Sequence, residues 1–322
     1  MELPAQLRQA VDSALAGASV SDLAAAAKAL SRRYRDEIRD GRLHISDARL
    51  ALAYVATRMP ATYAAIHLAL SAMAAQQPDF APRSLLDVGA GPGTVMWAAA
   101  DLWTGIEAAT LVETSPAIRA LGETLAASSA IARISWRASD LRADLPGTQH
   151  DLVTLAYVLD ELAPKDRGAL VDRLWSLSRH ALLIVEPGTT AGWRRILEAR
   201  AQLIAGGAHI LAPCPHALAC PVTEPDWCHF AARVARSRIH RLAKEAEVPW
   251  EDEKFIYLAA SRTPAAHHAA RVLDRPASAS GRVELKLCQP DGMATHRLVT
   301  RREGDVFKRA RRVDWGDTFE GS

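Results

Sequence analysis

Cysteine is scarce in this 322-residue chain, with four residues, and lysine supplies only six of the 39 basic side chains (28, 165, 244, 254, 286 and 308). So few thiols exclude a disulfide-stapled scaffold, and a chain this long buries enough apolar surface to fold without one. No apolar run approaches the roughly 18 residues of a membrane span. The segment MELPAQLRQAVDSALAG lacks a basic stretch ahead of an apolar core, and Glu2 and Asp12 fit poorly with an acid-poor transit peptide. A soluble intracellular protein with no membrane partner is therefore expected. Aromatics are few, at 6%, yet 49% hydrophobic and 24% charged residues make an ordinary globular balance that argues against wholesale disorder.

What is abundant is alanine, 63 residues, together with arginine; both follow from GC-rich codon usage. Arginine also suits phosphate recognition better than lysine, because its planar fork binds bidentately. The net charge of +2 is unevenly spread: residues 81–190 carry nine basic and thirteen acidic side chains, residues 191–322 twenty-one and sixteen. The basic character sits at the C-terminal end.

Three parts are expected: a helical region over 1–80, an α/β core over 81–200, and a cysteine-rich segment with a small basic β element over 201–322. In the first, LRQAVDSAL, LAAAAKAL and ARLALAYVATRM show three- and four-residue apolar spacing, Ser46 and Asp47 suit an N-cap, and Pro60 suits a first helical turn. From SLLDV onward, short apolar runs alternate with helical stretches, which predicts a parallel sheet covered on both faces. Beyond Gly188 the regularity fails. RVARSRIHRLAKEAEV reads as a basic helix; KFIYLAASR, GRVELKLCQ, HRLVTRR and VFKRARRV read as strands of the terminal element; GDTFEGS reads as a frayed tail.

The run Asp87-Val88-Gly89-Ala90-Gly91-Pro92-Gly93-Thr94 is the strongest chemical signal. Glycines between a strand and a helix let backbone approach a ligand, and the helix N-terminus offers free N–H groups. Such a turn serves a dinucleotide equally well, but Asp87 would repel a pyrophosphate and Pro92 fits that fingerprint badly. S-adenosylmethionine fits better. Asp87 would meet the ammonium end through the turn, Glu113 at the second strand end would accept ribose hydroxyls, and Asp140 with Leu141 would contact the adenine. Tyr157, after the fourth strand, completes this expected set. The Asn/Asp-Pro-Pro-aromatic motif of amine methylation is absent, and Asp160 and Glu161 stand in its place. No catalytic base is identified.

Three of the four cysteines, Cys214, Cys220 and Cys228, fall within fifteen residues in a proline-rich stretch, and Cys288 follows sixty residues later. The C-x5-C-x7-C spacing lacks the close knuckles of structural zinc. Wider spacing favours an iron–sulfur cluster on four thiolates, while zinc and unmetallated thiols stay open. His209, His216 and His229 flank the stretch.

Several segments together carry a resemblance: RMPATYAAI (58–66), SLLDVGAGPGT (84–94), LIVEPGT (183–189), the 212–230 cysteine stretch, SRIHRLAK (237–244), EDEKFIYLAASR (251–262), LCQPDG and WGD (315–317). The chain resembles the methyltransferase-like assembly factors of the mitochondrial small ribosomal subunit and their bacterial relatives. The resemblance implies a class I, Rossmann-like methyltransferase core, S-adenosylmethionine, and a 4Fe-4S cluster on Cys214, Cys220, Cys228 and Cys288. It implies a monomer that binds small-subunit rRNA during ribosome maturation, in the bacterial cytoplasm or the mitochondrial matrix of a eukaryote. Arg297, Arg301, Arg302, Lys308, Arg309, Arg311 and Arg312 are the expected phosphate contacts. Rival readings are an active methyltransferase on rRNA or another substrate with structural zinc, and an iron or redox sensor.

Overall fold

The computed structural model describes residues 1–38, 40, 42–139, 145–266 and 269–321. The N-terminal region is helical: α1 (Ala5–Leu15), α2 (Val20–Arg35), α3 (Ala48–Thr57) and α4 (Met59–Gln76). Asp47 caps α3 by accepting a bond from the Leu50 N–H at 2.9 Å, and Pro60 occupies the first turn of α4. Helix α4 is buried around most of its girth, because it is sandwiched between a core helix, Thr94–Leu102, and the strands Phe230–Ala235 and Trp250–Ser261. No described helix is long and apolar enough to cross a membrane.

The core alternates as β1 (Ser84–Val88), α5 (Thr94–Leu102), β2 (Ala108–Val112), α6 (Pro116–Ala126), β3 (Arg133–Arg137), β4 (His150–Ala156), α7 (Pro164–Leu177), β5 (Ser178–Pro187) and α8 (Thr190–Ala205). Then come β6 (His209–Ala212), β7 (Phe230–Ala235), α9 (Arg238–Ala243) and β8 (Trp250–Ser261). The sheet runs β3-β2-β1-β4-β5-β8-β6, with β7 pairing the other half of the β8 edge that β6 occupies. Strands β1 to β5 are parallel, and β8 is antiparallel to β5. This is the doubly wound, Rossmann-like order of a class I methyltransferase core. Strand order reverses between β1 and β4, and the crevice at their C-terminal ends is where open α/β sheets hold ligands.

A second, antiparallel sheet is built from β9 (Ala270–Val272), β10 (Ala277–Ala279), β11 (Arg282–Cys288), β12 (Ala294–Thr300) and β13 (Thr318–Phe319). Its own small core includes Val272, Leu285, Val299, Phe307 and Phe319.

Four sequence expectations are corrected. KFIYLAASR is no terminal element: as β8 it lies inside the main sheet, where burial on both faces accounts for its continuous apolar run. RVARSRIHRLAKEAEV is not one helix, since residues 230–235 alternate buried and exposed as β7 and only the part after the Ser237 cap is helical. VFKRARRV forms no strand; α10 (Asp305–Ala310) turns Phe307 and Ala310 inward at helical spacing. GDTFEGS is not frayed throughout, because β13 pairs with β9 and buries Phe319.

Candidate functional site: a switch-point cleft and a four-cysteine cavity

The turn after β1 is left-handed at Gly89, Gly91 and Gly93. At Gly89 the requirement is steric as well, since a Cβ there would fall 2.3 Å from Cγ2 of Val158. The N–H groups of Gly89 and Ala90 donate to the Val112 carbonyl, tying the turn to β2. Glu113 accepts from the Gly91 N–H at 2.9 Å and the Ser115 N–H at 2.7 Å. Each carboxylate oxygen keeps further acceptor capacity toward the cleft, which suits a diol. Glu186, wholly buried at the end of β5, accepts from the Leu159 N–H at 3.0 Å and from Arg195 at 2.6 Å. That clamp holds the loop after β4, and so Val158, against Gly89.

Asp87 lies behind the turn, wholly buried, and is not part of the cleft wall. One oxygen accepts from Thr154 at 2.8 Å; the other has no partner. Burial, aided by the charge of Glu113, pushes its carboxyl up to about 7 against the opposing Thr154 bond. The sign of the pH effect follows. Below the ordinary value of 3.8 the group is protonated in both folded and unfolded chains, so it costs nothing. As pH rises toward 7 the unfolded chain ionises first, and stability falls until the folded group also ionises. The loss approaches a ceiling of about 4 kcal/mol, at 1.36 kcal/mol per pKa unit. Asp87→Asn is expected to remove this slope between about pH 4 and 7. Urea unfolding of both proteins at several pH values checks it, and parallel stability–pH curves would refute it.

The cleft beside the turn measures about 1180 Å³, more than the 300–1,000 Å³ typical of a small-ligand pocket. Tyr157, left-handed at φ 60°, lines it at the end of β4, and its hydroxyl lies 3.5 Å from Glu253. Glu161 also lines it: its side chain keeps 41% of its surface, yet burial within the cleft, with Asp160 and Glu113 nearby, pushes its carboxyl up to about 8. Asp140 and Leu141 lie outside the described residues. Sequence reasoning missed further lining residues, Tyr34, Tyr54 and Arg58 from the N-terminal helical region and Glu253 from β8. Arg58 and Glu253 fall in the RMPATYAAI and EDEKFIYLAASR segments, which carry no local chemistry of their own, and Tyr34 and Tyr54 fall in helical stretches with no motif at all.

The four cysteines line one small, largely apolar cavity with Trp193, Ile196, Val222 and Leu258. Cys288 arrives at the end of β11, where it pairs with Arg271 of β9, so the second sheet is joined to the first at this cavity. Its sulfur lies 3.3 Å from Nε2 of His216. Arg200 donates to the His216 carbonyl at 2.7 Å, while its Nε and the His216 Nδ1 are buried without a partner. Arg271 donates to the carbonyls of Pro213 and Gly316. Burial raises the thiols of Cys214 and Cys228 and pushes Cys288 up to about 12, with neighbouring thiols adding to each. Among the described residues no group of three or more His, Cys, Asp or Glu is arranged to hold a metal ion. His209 is exposed on β6, and His229 stacks on Trp227 and meets Trp315 edge-on. The cavity is tied to the cleft: Trp227, beside Cys228, donates from Nε1 to the carbonyl of Gly188 on the cleft wall at 3.0 Å.

Of the basic C-terminal residues, Arg301, Arg302, Arg309, Arg311 and Arg312 are exposed around a 3-10 turn and α10. Arg297 is engaged internally: it pairs with Glu303 at 3.3 Å and lies over the Phe319 ring. Lys308 pairs with Asp305 at 2.9 Å.

Solved methyltransferase structures are similar at low identity. The magnesium protoporphyrin IX methyltransferase of Synechocystis PCC 6803 covers 72% of this chain and 91% of its own, at 13% identity and a TM-score of 0.41. An O-methyltransferase family protein from Burkholderia thailandensis covers 73% and 68%, at 13% identity and a TM-score of 0.45. In sequence, the chain is 32% identical over 289 residues to the human mitochondrial ribosome assembly protein METTL17, covering 83% of this chain and 62% of that protein. It is 24% identical over 321 residues to Rsm22-cox11 tandem protein 2 of Schizosaccharomyces pombe, covering 83% and 43%. The chain thus spans about two-fifths to three-fifths of the length of these relatives. The model of the family described as mitochondrial small ribosomal subunit Rsm22 matches residues 48–320, nearly the whole chain, and the protein belongs to that family.

Proposed function

We propose that this protein is an assembly factor of the small ribosomal subunit. It holds S-adenosylmethionine in the switch-point cleft, carries a 4Fe-4S cluster on Cys214, Cys220, Cys228 and Cys288, and grips rRNA with the exposed arginines around α10. Its place of action is the cytoplasm in a bacterium and the mitochondrial matrix in a eukaryote. The observation that carries the reading is the convergence of four thiols, three from the loop between β6 and β7 and one from the second sheet, on one cavity. The residues fit a cluster in kind: four soft ligands in an apolar shell, with the guanidiniums of Arg200 and Arg271 beside them to offset thiolate charge. A single zinc would require all four sulfurs about 2.3 Å from one point, whereas a cubane spans a wider frame. When bound, the cluster supplies the covalent tie between the loop and the second sheet. The basic helix on that sheet is then fixed relative to the core.

The ribosomal role is supported by family membership and by the names its relatives bear. For S-adenosylmethionine the support is the glycine turn, the Glu113 carboxylate and a cleft of sufficient size. The RNA arm of the proposal is tested by reversing Arg301, Arg309 and Arg312 to Glu and measuring binding to small-subunit rRNA across salt concentrations. The expected result is a loss of at least about tenfold at low salt, with the log–log salt slope flattening by roughly 0.7–0.9 per lost contact. Unchanged affinity and slope would show that RNA is gripped elsewhere, if at all.

A further inference from the structure

Arg58 joins α3 to α4 and lines the switch-point cleft. Its Nε is buried without a hydrogen-bond partner, and among the described residues no carboxylate comes within ion-pair distance of its guanidinium. The groups that face it are Glu253, Tyr54, Tyr34 and Tyr157, with the Tyr34 ring 5.4 Å away. An arginine so enclosed, with its donor fork unused, is costly unless an anion completes it.

Glu253 comes from β8 and lines the same cleft, where its partner is the Tyr157 hydroxyl at 3.5 Å. A cation and an anion therefore share one wall, near enough to feel each other's charge yet unpaired. The complementary ligand carries a carboxylate and an ammonium on one carbon. Tyr157 ties this couple to the end of β4, next to the residue, Val158, that packs on Gly89. A nucleoside seated on the glycine turn and Glu113 can thus extend toward Arg58 without leaving the cleft.

We infer that Arg58 and Glu253 form the subsite for an α-amino-acid head group, Arg58 taking the carboxylate through its bidentate fork and Glu253 the ammonium. The inference rests on the reading that S-adenosylmethionine occupies the cleft, and it gives the N-terminal helices a direct part in binding. It also makes the site selective: nucleosides that lack the amino-acid tail lose both charged contacts.

The test is calorimetric titration of the full chain with S-adenosylhomocysteine, which has the head group, and with 5′-methylthioadenosine, which lacks it. The wild-type protein is expected to prefer the former by about a hundredfold or more, from two charge-assisted contacts. Arg58→Gln is expected to weaken S-adenosylhomocysteine by at least about tenfold and leave methylthioadenosine unchanged, while Arg58→Lys recovers part of the loss. Retained methylthioadenosine binding reports that a variant is folded. Should Arg58→Gln unfold the helix junction, Glu253→Gln gives the same readout from a strand, with the same expected change in preference. Variants that keep the wild-type preference, or that weaken both ligands equally, overturn the inference alone. A wild-type protein that binds neither nucleoside overturns the cofactor reading and this inference with it.

Discussion

Cys288→Ser is expected to empty the four-cysteine cavity of the proposed cluster and loosen the second sheet from the core. Protein purified without oxygen should carry about four iron and four sulfide per chain, and the variant should carry almost none of either. Cys288 is the one cysteine of the cavity contributed by the second sheet, and it is 5% exposed. Its replacement removes one of the four proposed ligands and leaves a hydroxyl in the apolar cavity, beside the unpartnered Arg200 and His216 nitrogens. Metal-site binding free energy is folding free energy. The melting temperature should therefore drop by roughly 5–10 °C, which at about 2–4 °C per kcal/mol for a chain of this class reflects a few kcal/mol. Iron and sulfide assays, zinc analysis and a melting curve give the answer. One zinc per chain with no iron in the wild-type protein would overturn the cluster assignment while leaving the cavity's role as a tether intact.

The second large effect concerns the glycine turn. Gly89→Ala combines two penalties: a left-handed φ of 71°, and a methyl group driven to 2.3 Å from Val158. The first costs about 1–2 kcal/mol and the second typically 1–3 kcal/mol. The expected result is a loss of some 2–5 kcal/mol in urea unfolding, with nucleoside binding abolished as the loop after β4 is pushed away. Gly91→Ala is the internal control. Its φ of 55° carries the same conformational penalty, but nothing lies within 4 Å of a Cβ there, so about 1–2 kcal/mol is the whole expected cost. Equal destabilisation by the two substitutions would show that the Val158 contact does not constrain the turn.

These two sites differ in how far they were legible. The glycine turn, Glu113 and the five parallel strands could be read from local pattern, because most of these strands are short apolar runs followed by a helix with its own start signal. Strand β3 differs, alternating exposed and half-buried residues. The cysteines could be read as a set but not as a place. Nothing in C-x5-C-x7-C states that Cys288, sixty residues on, returns to the same cavity; the pairing of β11 with β9 and the packing of the second sheet on the first bring it there. Strand β8 was misassigned because an apolar run reads alike at a sheet's edge and in its middle. The segment now known as α10 was misread because six residues are too few to separate a period of two from one of 3.6. Arg297 looked like its exposed neighbours in sequence, yet Glu303 and Phe319 claim it.

Composition and local order alone determined the α/β class, the glycine turn and the list of thiols, since helix caps, left-handed glycines and apolar periodicity act over a few residues. Tertiary structure alone decided which of those residues meet. The Arg58–Glu253 couple joins a helix to a strand almost two hundred residues later, and Asp87 is set behind the turn rather than in the cleft. Such juxtapositions arise from sheet order and from packing between layers, which depend on the whole chain at once and leave no trace in the spacing of neighbouring residues.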